Sequence, residues 1–135
     1  MGVNRPMIAK DIMDSFLVTA KPNETVADAT RKMKEHNVGS VLIVDEHGRL
    51  LGIFTERDLV RIVASNKPLS TKLEEVMTKN NLVTASPDDP LPLIAHKMVE
   101  HNIRHIPVVD KEGRIVGIIS IRKLLRYILS SYEWP

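Results

Sequence analysis

The feature that most constrains this chain is an internal repeat. Residues 17–61 align with 82–126 without a gap, and about 19 of 45 positions are identical. The shared words are Lys-Met-x-Glu-His-Asn (32–37 and 97–102), Val-Asp-x-x-Gly-Arg (44–49 and 109–114) and Gly-Ile (Gly52-Ile53 and Gly117-Ile118). Upstream of each copy, Asp11-Ile12-Met13 answers Glu75-Val76-Met77 once one residue is allowed as an insertion. Two copies are too few for a solenoid, which needs about three or more units to bury a continuous core. The expected fold class is therefore α/β: two β-α-β-β-α repeats packed about a pseudo-two-fold axis, the first over residues 8–65 and the second over 71–132. At 135 residues the chain fits one compact domain or two small halves sharing a core.

Within the first copy, residues 17–19 read as a short extended piece, and Pro22 and Asn23 turn the chain. Val26, Ala29, Thr30 and Met33 then fall at i, i+3, i+4 and i+7, the stripe of an amphipathic helix over 25–36. Residues 41–44 form a continuous apolar run of strand length, expected to be buried on both faces. Asp45-Glu46-His47-Gly48 is a hairpin turn with Gly48 placed for positive φ. Residues 50–54 return as a second buried strand, and 57–64 form a helix with Leu59, Ile62 and Val63 inward. The second copy follows the same order. The one linker-like stretch, 65–70, is too short to let the halves move as independent domains.

The segment Gly52-Ile53-Phe54-Thr55-Glu56-Arg57-Asp58 joins a strand end to a helix start. Free N–H groups and the helix dipole make such a junction a natural phosphate or ribose site. A ligand is not required to explain it, because Thr55 and Asp58 can form a capping box. What tips the balance is duplication. Gly117-Ile118-Ile119-Ser120-Ile121-Arg122-Lys123 repeats the segment, with Ser120 for Thr55 and Lys123 for Asp58.

Composition removes several function classes. Aromatics make up only 4% against 43% apolar residues, so Val, Ile, Leu and Met must fill the core. A net charge of +2 gives no sign of the broad basic face of a general nucleic-acid binder, and a pI near 9.0 supports one only weakly. Without cysteine there is no disulfide, thiolate metal site or Cys nucleophile. No apolar run approaches the ~18 residues of a membrane span, and the first ten residues lack the apolar stretch of a signal peptide. A soluble cytoplasmic protein with no membrane partner is expected. A P-loop, a Rossmann Gly-rich turn, a clustered acidic metal site and a nucleophile–base pair are all missing, so no enzyme is expected.

The Asp-Ile-Met and Glu-Val-Met segments, Arg-His-Ile-Pro-Val-Val-Asp (104–110) and the two Gly-Ile-x-[Ser/Thr] segments together resemble the cystathionine-β-synthase (CBS) domain family in its tandem-pair form. The likeness runs from about Ile8 to Tyr132. It implies a pseudo-symmetric module with two clefts between the repeats that bind AMP, ADP, ATP or S-adenosylmethionine. It also implies a homodimer and a regulatory role directed at an effector protein, with magnesium entering only as the companion of a polyphosphate. On the resemblance, a first cleft would use Thr55 and Asp58 for ribose and the first phosphate. Val83, Thr84 and Ile53 would line the adenine, and Arg104, His105 and Arg122 would face the phosphates. A second, weaker cleft would use Ser120, Lys123, Val18, Thr19, Ser40 and Arg57. The first repeat departs from the family pattern: Gly39-Ser40-Val41-Leu42 stands where the second has Arg104-His105-Ile106-Pro107. The alternative function is a ligand-free dimeric interaction scaffold.

Other candidates have plainer readings. His101 and His105 share the spacing of a helical zinc pair, but Ile106-Pro107-Val108 reads as strand, so they fall on different elements. His36 and His101 repeat each other at helix C-termini, where the dipole favours partial charge. Met33 and Met98 belong to core stripes. Asp45 and Asp110 open turns, and Asp88-Asp89 before Pro90 reads as a capping segment. Arg104, between an apolar helix and a buried strand, needs a partner, and phosphate is a good one. The aromatic-rich end (Tyr127, Leu129, Tyr132, Trp134) points to an oligomer interface or to packing on the chain's own core.

Overall fold

The computed structural model describes residues 6–130. Tyr132 and Trp134, and with them the end of the second expected repeat, lie outside the described residues. The elements are α1 (Ala9–Ile12), β1 (Thr19–Ala20), α2 (Val26–His36), β2 (Ser40–Val44), β3 (Leu50–Thr55), α3 (Glu56–Ala64), α4 (Leu73–Val76), α5 (Leu91–His101), β4 (His105–Val109), β5 (Ile115–Ser120) and α6 (Ile121–Ser130). They form two compact units. One is built on the first repeat and comprises Leu17–Leu82 with Glu112–Ile115. The other comprises the described parts of Met1–Phe16, Val83–Lys111 and Val116–Pro135.

In the first-repeat unit, β1 pairs parallel with β2, and β2 pairs antiparallel with β3. Every residue of β2 is buried, as its unbroken apolar run dictates. Val41 and Ile43 join Val18, Val26, Ala29, Met33, Phe54, Ile62 and Leu73 in one core, while Leu42 and Ile53 are buried as register partners on the other face of the sheet. Helix α2 starts at a reciprocal box: the Thr25 hydroxyl accepts from Asp28 N at 3.1 Å, and Asp28 accepts from Thr25 N at 2.9 Å. It ends at Asn37 in the left-handed region, φ 51°, a conformation that a short polar side chain tolerates. The first free amides of α2 also find partners, since Val26 N donates to Thr71 O and Ala27 N to Leu69 O. The hairpin turn forms around Gly48 at φ 79°, and Asp45 Oδ1 accepts from His47 N at 2.8 Å and Arg49 N at 2.9 Å. The Arg49 amide bond is the main cause of the lowered Asp45 pKa. In Asp28 the amide and then the hydroxyl of Thr25 act in the same direction. The tip of the second hairpin joins this unit through Leu50 N to Gly113 O and Ile115 N to Gly48 O.

The second-repeat unit gathers Ala9, Ile12, Ala85, Leu91, Ile94, Met98, Ile106, Val108, Ile119 and Leu124 into its own core. Helix α5 ends at Asn102, again left-handed at φ 51°. Three expectations change. The first strand of this repeat is a single parallel bridge, Ala85 to Val108. In the first unit Leu42 N donates to Val18 O at 2.9 Å; the equivalent of Leu42 is Pro107, which has no N–H to give Val83, and the ladder stops there. Asp88 and Asp89 do not cap α5, whose N-cap is Pro90. Asp89 instead accepts from Ser86 N at 2.8 Å, one turn earlier. In α3, Ile62 is buried and Leu59 half-buried, but Val63 is not inward: it and Val60 are 61% and 66% exposed.

The short helices change places. Helix α1, at the start of the chain, belongs to the unit of the second repeat, and α4, just before the second repeat, belongs to the unit of the first. Each delivers a methionine against a glycine of the long hairpin. A Cβ on Gly52 would lie 2.7 Å from Met77 Sδ and 2.9 Å from the Thr78 carbonyl oxygen, and one on Gly117 would collide with the Met13 side chain. Gly52→Ala and Gly117→Ala should therefore each lower stability by about 1–3 kcal/mol. Combining each with Met77→Ala or Met13→Ala should cost less than the sum of the single changes, read from urea midpoints. Strictly additive losses would show that the methionine is not what the glycine accommodates.

Candidate functional site

The duplicated strand-to-helix junction forms in both units, with different chemistry in each. In the first-repeat unit, the last residue of β3, Thr55, is the N-cap of α3. Its hydroxyl accepts from Asp58 N at 3.4 Å, and Asp58 Oδ2 accepts from Thr55 N at 2.9 Å and Thr55 Oγ1 at 3.2 Å. Asp58 Oδ1 accepts from Thr78 Oγ1 at 3.3 Å, with Arg61 Nη1 at 3.6 Å. The Asp58 side chain is only 6% exposed. A carboxylate so buried is tolerable because these donors replace water. Ile53, 7% exposed, lies on β3 and bridges Thr78. Ser40 is buried and faces Thr55 in the strand register. Arg57 is exposed on the first turn of α3. Val18 is buried and Thr19 half-buried on the first strand and its approach. The Thr19 carbonyl accepts from Lys32 Nζ at 2.8 Å, and the same ammonium meets Glu24 at 2.8 Å.

In the second-repeat unit, Ser120 ends β5 and its hydroxyl accepts from Lys123 N at 3.2 Å. Helix α6 has no acid in its first turn, where Arg122 and Lys123 stand against the helix dipole. The compensating charge is Asp14, whose Oδ1 accepts from Lys123 Nζ at 2.6 Å. Val83 is half-buried against this unit's core, and the Thr84 carbonyl accepts from Lys97 Nζ at 2.8 Å, repeating the Lys32 contact. His105 is half-buried at the start of β4, and Arg104 and Arg122 are exposed. The Arg104 carbonyl accepts from Ile121 N at 2.8 Å, which ties it to the start of α6. Exposure of Arg104 corrects one expectation: its guanidinium is not enclosed between helix and strand, so burial does not oblige it to find a phosphate.

Of the residues assigned to a first cleft, the structure thus brings Ile53, Thr55 and Asp58 together in one unit, and Arg104, His105 and Arg122 near the start of α6 in the other. Of those assigned to a second, Ser40 adjoins Thr55, and Ser120 caps α6 by accepting from the Lys123 amide. Sequence reasoning missed Asp14, Thr78, Lys32 and Lys97. The signal was present for the first pair, since Asp14 and Thr78 each follow the methionine of an aligned triplet. His101 ends α5 and His105 opens β4, and among the described residues no group of three or more His, Cys, Asp or Glu could hold a metal. Among the described residues no helix is long and apolar enough to cross a membrane.

Comparison with known proteins places this geometry. A chain crystallised as a CBS domain pair in complex with 5'-methylthioadenosine and S-adenosyl-L-methionine superposes with a TM-score of 0.88 at 35% identity, covering 95% of this chain and all of that one (100%). A CBS domain protein of Pyrobaculum aerophilum complexed with AMP gives 0.82 at 25% identity, covering 93% of this chain and 100% of its own. In sequence, the chain is 38% identical over 128 residues to an L-aspartate semialdehyde sulfurtransferase of Methanocaldococcus jannaschii; the match takes in 91% of this chain but only 24% of that relative's length. The family model for the CBS domain matches twice, over residues 9–65 and 73–130, so that with two repeats, two capped junctions and these structural likenesses the chain belongs to the CBS domain family.

Proposed function

We propose that this chain binds an adenosine-containing ligand, AMP, ADP, ATP or S-adenosylmethionine, and that it serves as a regulatory sensor without catalysing a reaction. The observation that carries the reading is the duplicated junction: a hydroxyl at the strand end, the positive end of a helix dipole, and a charged side chain at the third helical position. The similar structures that hold 5'-methylthioadenosine, S-adenosyl-L-methionine and AMP support an adenosyl ligand. In this reading Ile53, Thr55, Asp58, Val83, Thr84, Arg104, His105 and Arg122 serve one site, and Val18, Thr19, Ser40, Arg57, Ser120 and Lys123 the other. The sulfurtransferase name is not carried over, because the shared part is a quarter of that protein. A ligand can signal only through its different affinity for two arrangements of the chain, so the effector must sense one of them.

A thermal-shift screen tests the reading directly. Ligand at about a hundred times its Kd should add about 2.7 kcal/mol of stability. AMP or S-adenosylmethionine should raise the melting temperature, and guanine nucleotides should not. No shift with any adenosyl ligand would sink the proposal in favour of a ligand-free scaffold.

The outer faces of two helices bear on assembly. Val60 and Val63 on α3, and Leu125 and Leu129 on α6 at 49% and 51%, leave much apolar surface in water. We place the contacts of a homodimer there. Light scattering at micromolar concentration should give twice the chain mass, and a monomer mass would contradict the placement.

Substitutions separate the sites. In calorimetry Asp58→Ala should abolish the tighter binding phase, and Lys123→Ala should leave it nearly intact. Arg104→Ala should weaken AMP by about 1.5–3 kcal/mol and adenosine far less. The reverse order for Asp58 and Lys123, or equal losses for AMP and adenosine, would contradict the assignment.

A further inference from the structure

The two junctions hold the same connection with exchanged charges. In the first-repeat unit Asp58, third in its helix, accepts from the Thr78 hydroxyl at 3.3 Å. In the second-repeat unit Lys123, third in its helix, donates to the Asp14 carboxylate at 2.6 Å. Asp14 and Thr78 are themselves equivalent. Each follows its methionine, and each is pinned by a two-bond antiparallel bridge. Asp14 N donates to Ile118 O at 2.9 Å and Ile118 N to Asp14 O at 3.1 Å, while Thr78 and Ile53 exchange bonds of 2.9 Å in both directions. The carboxylate of the second junction is therefore not lost but moved, from the helix to the turn that the helix touches.

The difference in availability is large. The Asp58 side chain is 6% exposed and both its oxygens already accept bonds. The Asp14 side chain is 49% exposed, and Lys123 engages its Oδ1. A carboxylate offers about four lone-pair positions, so acceptor capacity remains for a vicinal diol, whereas an ammonium can only donate. The backbone bridge fixes where that capacity sits, and Lys123 fixes its orientation.

Building on the adenosyl-ligand reading, we infer that Asp14 is the residue that accepts the ribose hydroxyls at the second repeat's junction, with Lys123 as its positioning residue. The site then takes a ligand with an intact cis-diol, and the missing acid on α6 does not disable it.

The test is calorimetry on the full chain with AMP and with 2',3'-dideoxy-AMP, for wild type, Asp14→Asn, Asp14→Ala and the double variant Asp14→Thr/Lys123→Asp, each checked for its ligand-free melting temperature. In the binding phase that survives Asp58→Ala, Asp14→Asn and Asp14→Ala should weaken AMP about tenfold or more and leave the dideoxy analogue unchanged. The double variant, which rebuilds the first repeat's arrangement inside the second, should recover AMP binding. Equal losses for AMP and the dideoxy analogue would reduce Asp14 to a structural partner of Lys123 and overturn the inference. Unaltered two-phase AMP binding in Asp14→Asn would overturn it alone, whereas no binding of AMP or S-adenosylmethionine by the wild type would overturn the proposed function and this inference with it.

Discussion

The candidate site depends on how one residue after each Ile-Met or Val-Met turn is pinned to a hairpin strand. Asp14 is held to Ile118 and Thr78 to Ile53 by paired backbone hydrogen bonds. Such close approach demands a residue without a Cβ beside the turn, which is why Gly117 and Gly52 stand against Met13 and Met77. Once the turn is fixed, its side chain lies within bonding distance of the third residue of α6 or α3. That contact sets the charge at a helix start, where charge matters most. The Asp14–Lys123 pair is half-exposed and contributes at most about 1 kcal/mol to stability. In the proposed reading its consequence is for which atoms a ligand meets.

Much of the fold could be read from the sequence because the repeat fixed two copies of every expectation. The buried run of β2, the Gly48 turn with Asp45 bonded to its own backbone, the Thr25–Asp28 box and the stripe of α2 all follow local rules that act within a few residues. Departures came where a local rule met a distant one. Pro107 removes an amide that only the parallel partner across the sheet would use, so the lost strand at Val83 is visible only once the pairing is known. Val63 follows helical periodicity as well as Ile62 does. Apolar spacing cannot distinguish a face that packs on the chain's own core from one that does not. Asp89 caps a turn rather than a helix because Pro90 occupies the N-cap position of α5, which leaves Asp89 one residue too early to cap it.

The site was legible in half. Thr55, Asp58, Ser120 and Lys123 announced themselves by capping chemistry and by duplication. Their partners did not, because Lys123 and Asp14 are 109 residues apart and only the exchange of α1 into the second repeat's unit brings them together. A charge at each of two aligned positions, Asp58 with Thr78 and Lys123 with Asp14, is the kind of compensated change that a repeat records within one chain. The ammonium-to-carbonyl contacts of Lys32 on Thr19 and Lys97 on Thr84 are instead kept unchanged in both repeats, and they hold the backbone of residues assigned to the two clefts.

The central claim is that the duplicated junctions, and not the hairpin tips or the outer helix faces, receive the ligand. Backbone amide resonances followed by NMR during titration with AMP test it most directly. The account predicts that the largest shifts fall on residues 53–58 and 118–123 together with Asp14 and Thr78. Shifts confined to the Asp45 and Asp110 turns, or to the faces bearing Val60 and Leu125, would contradict it.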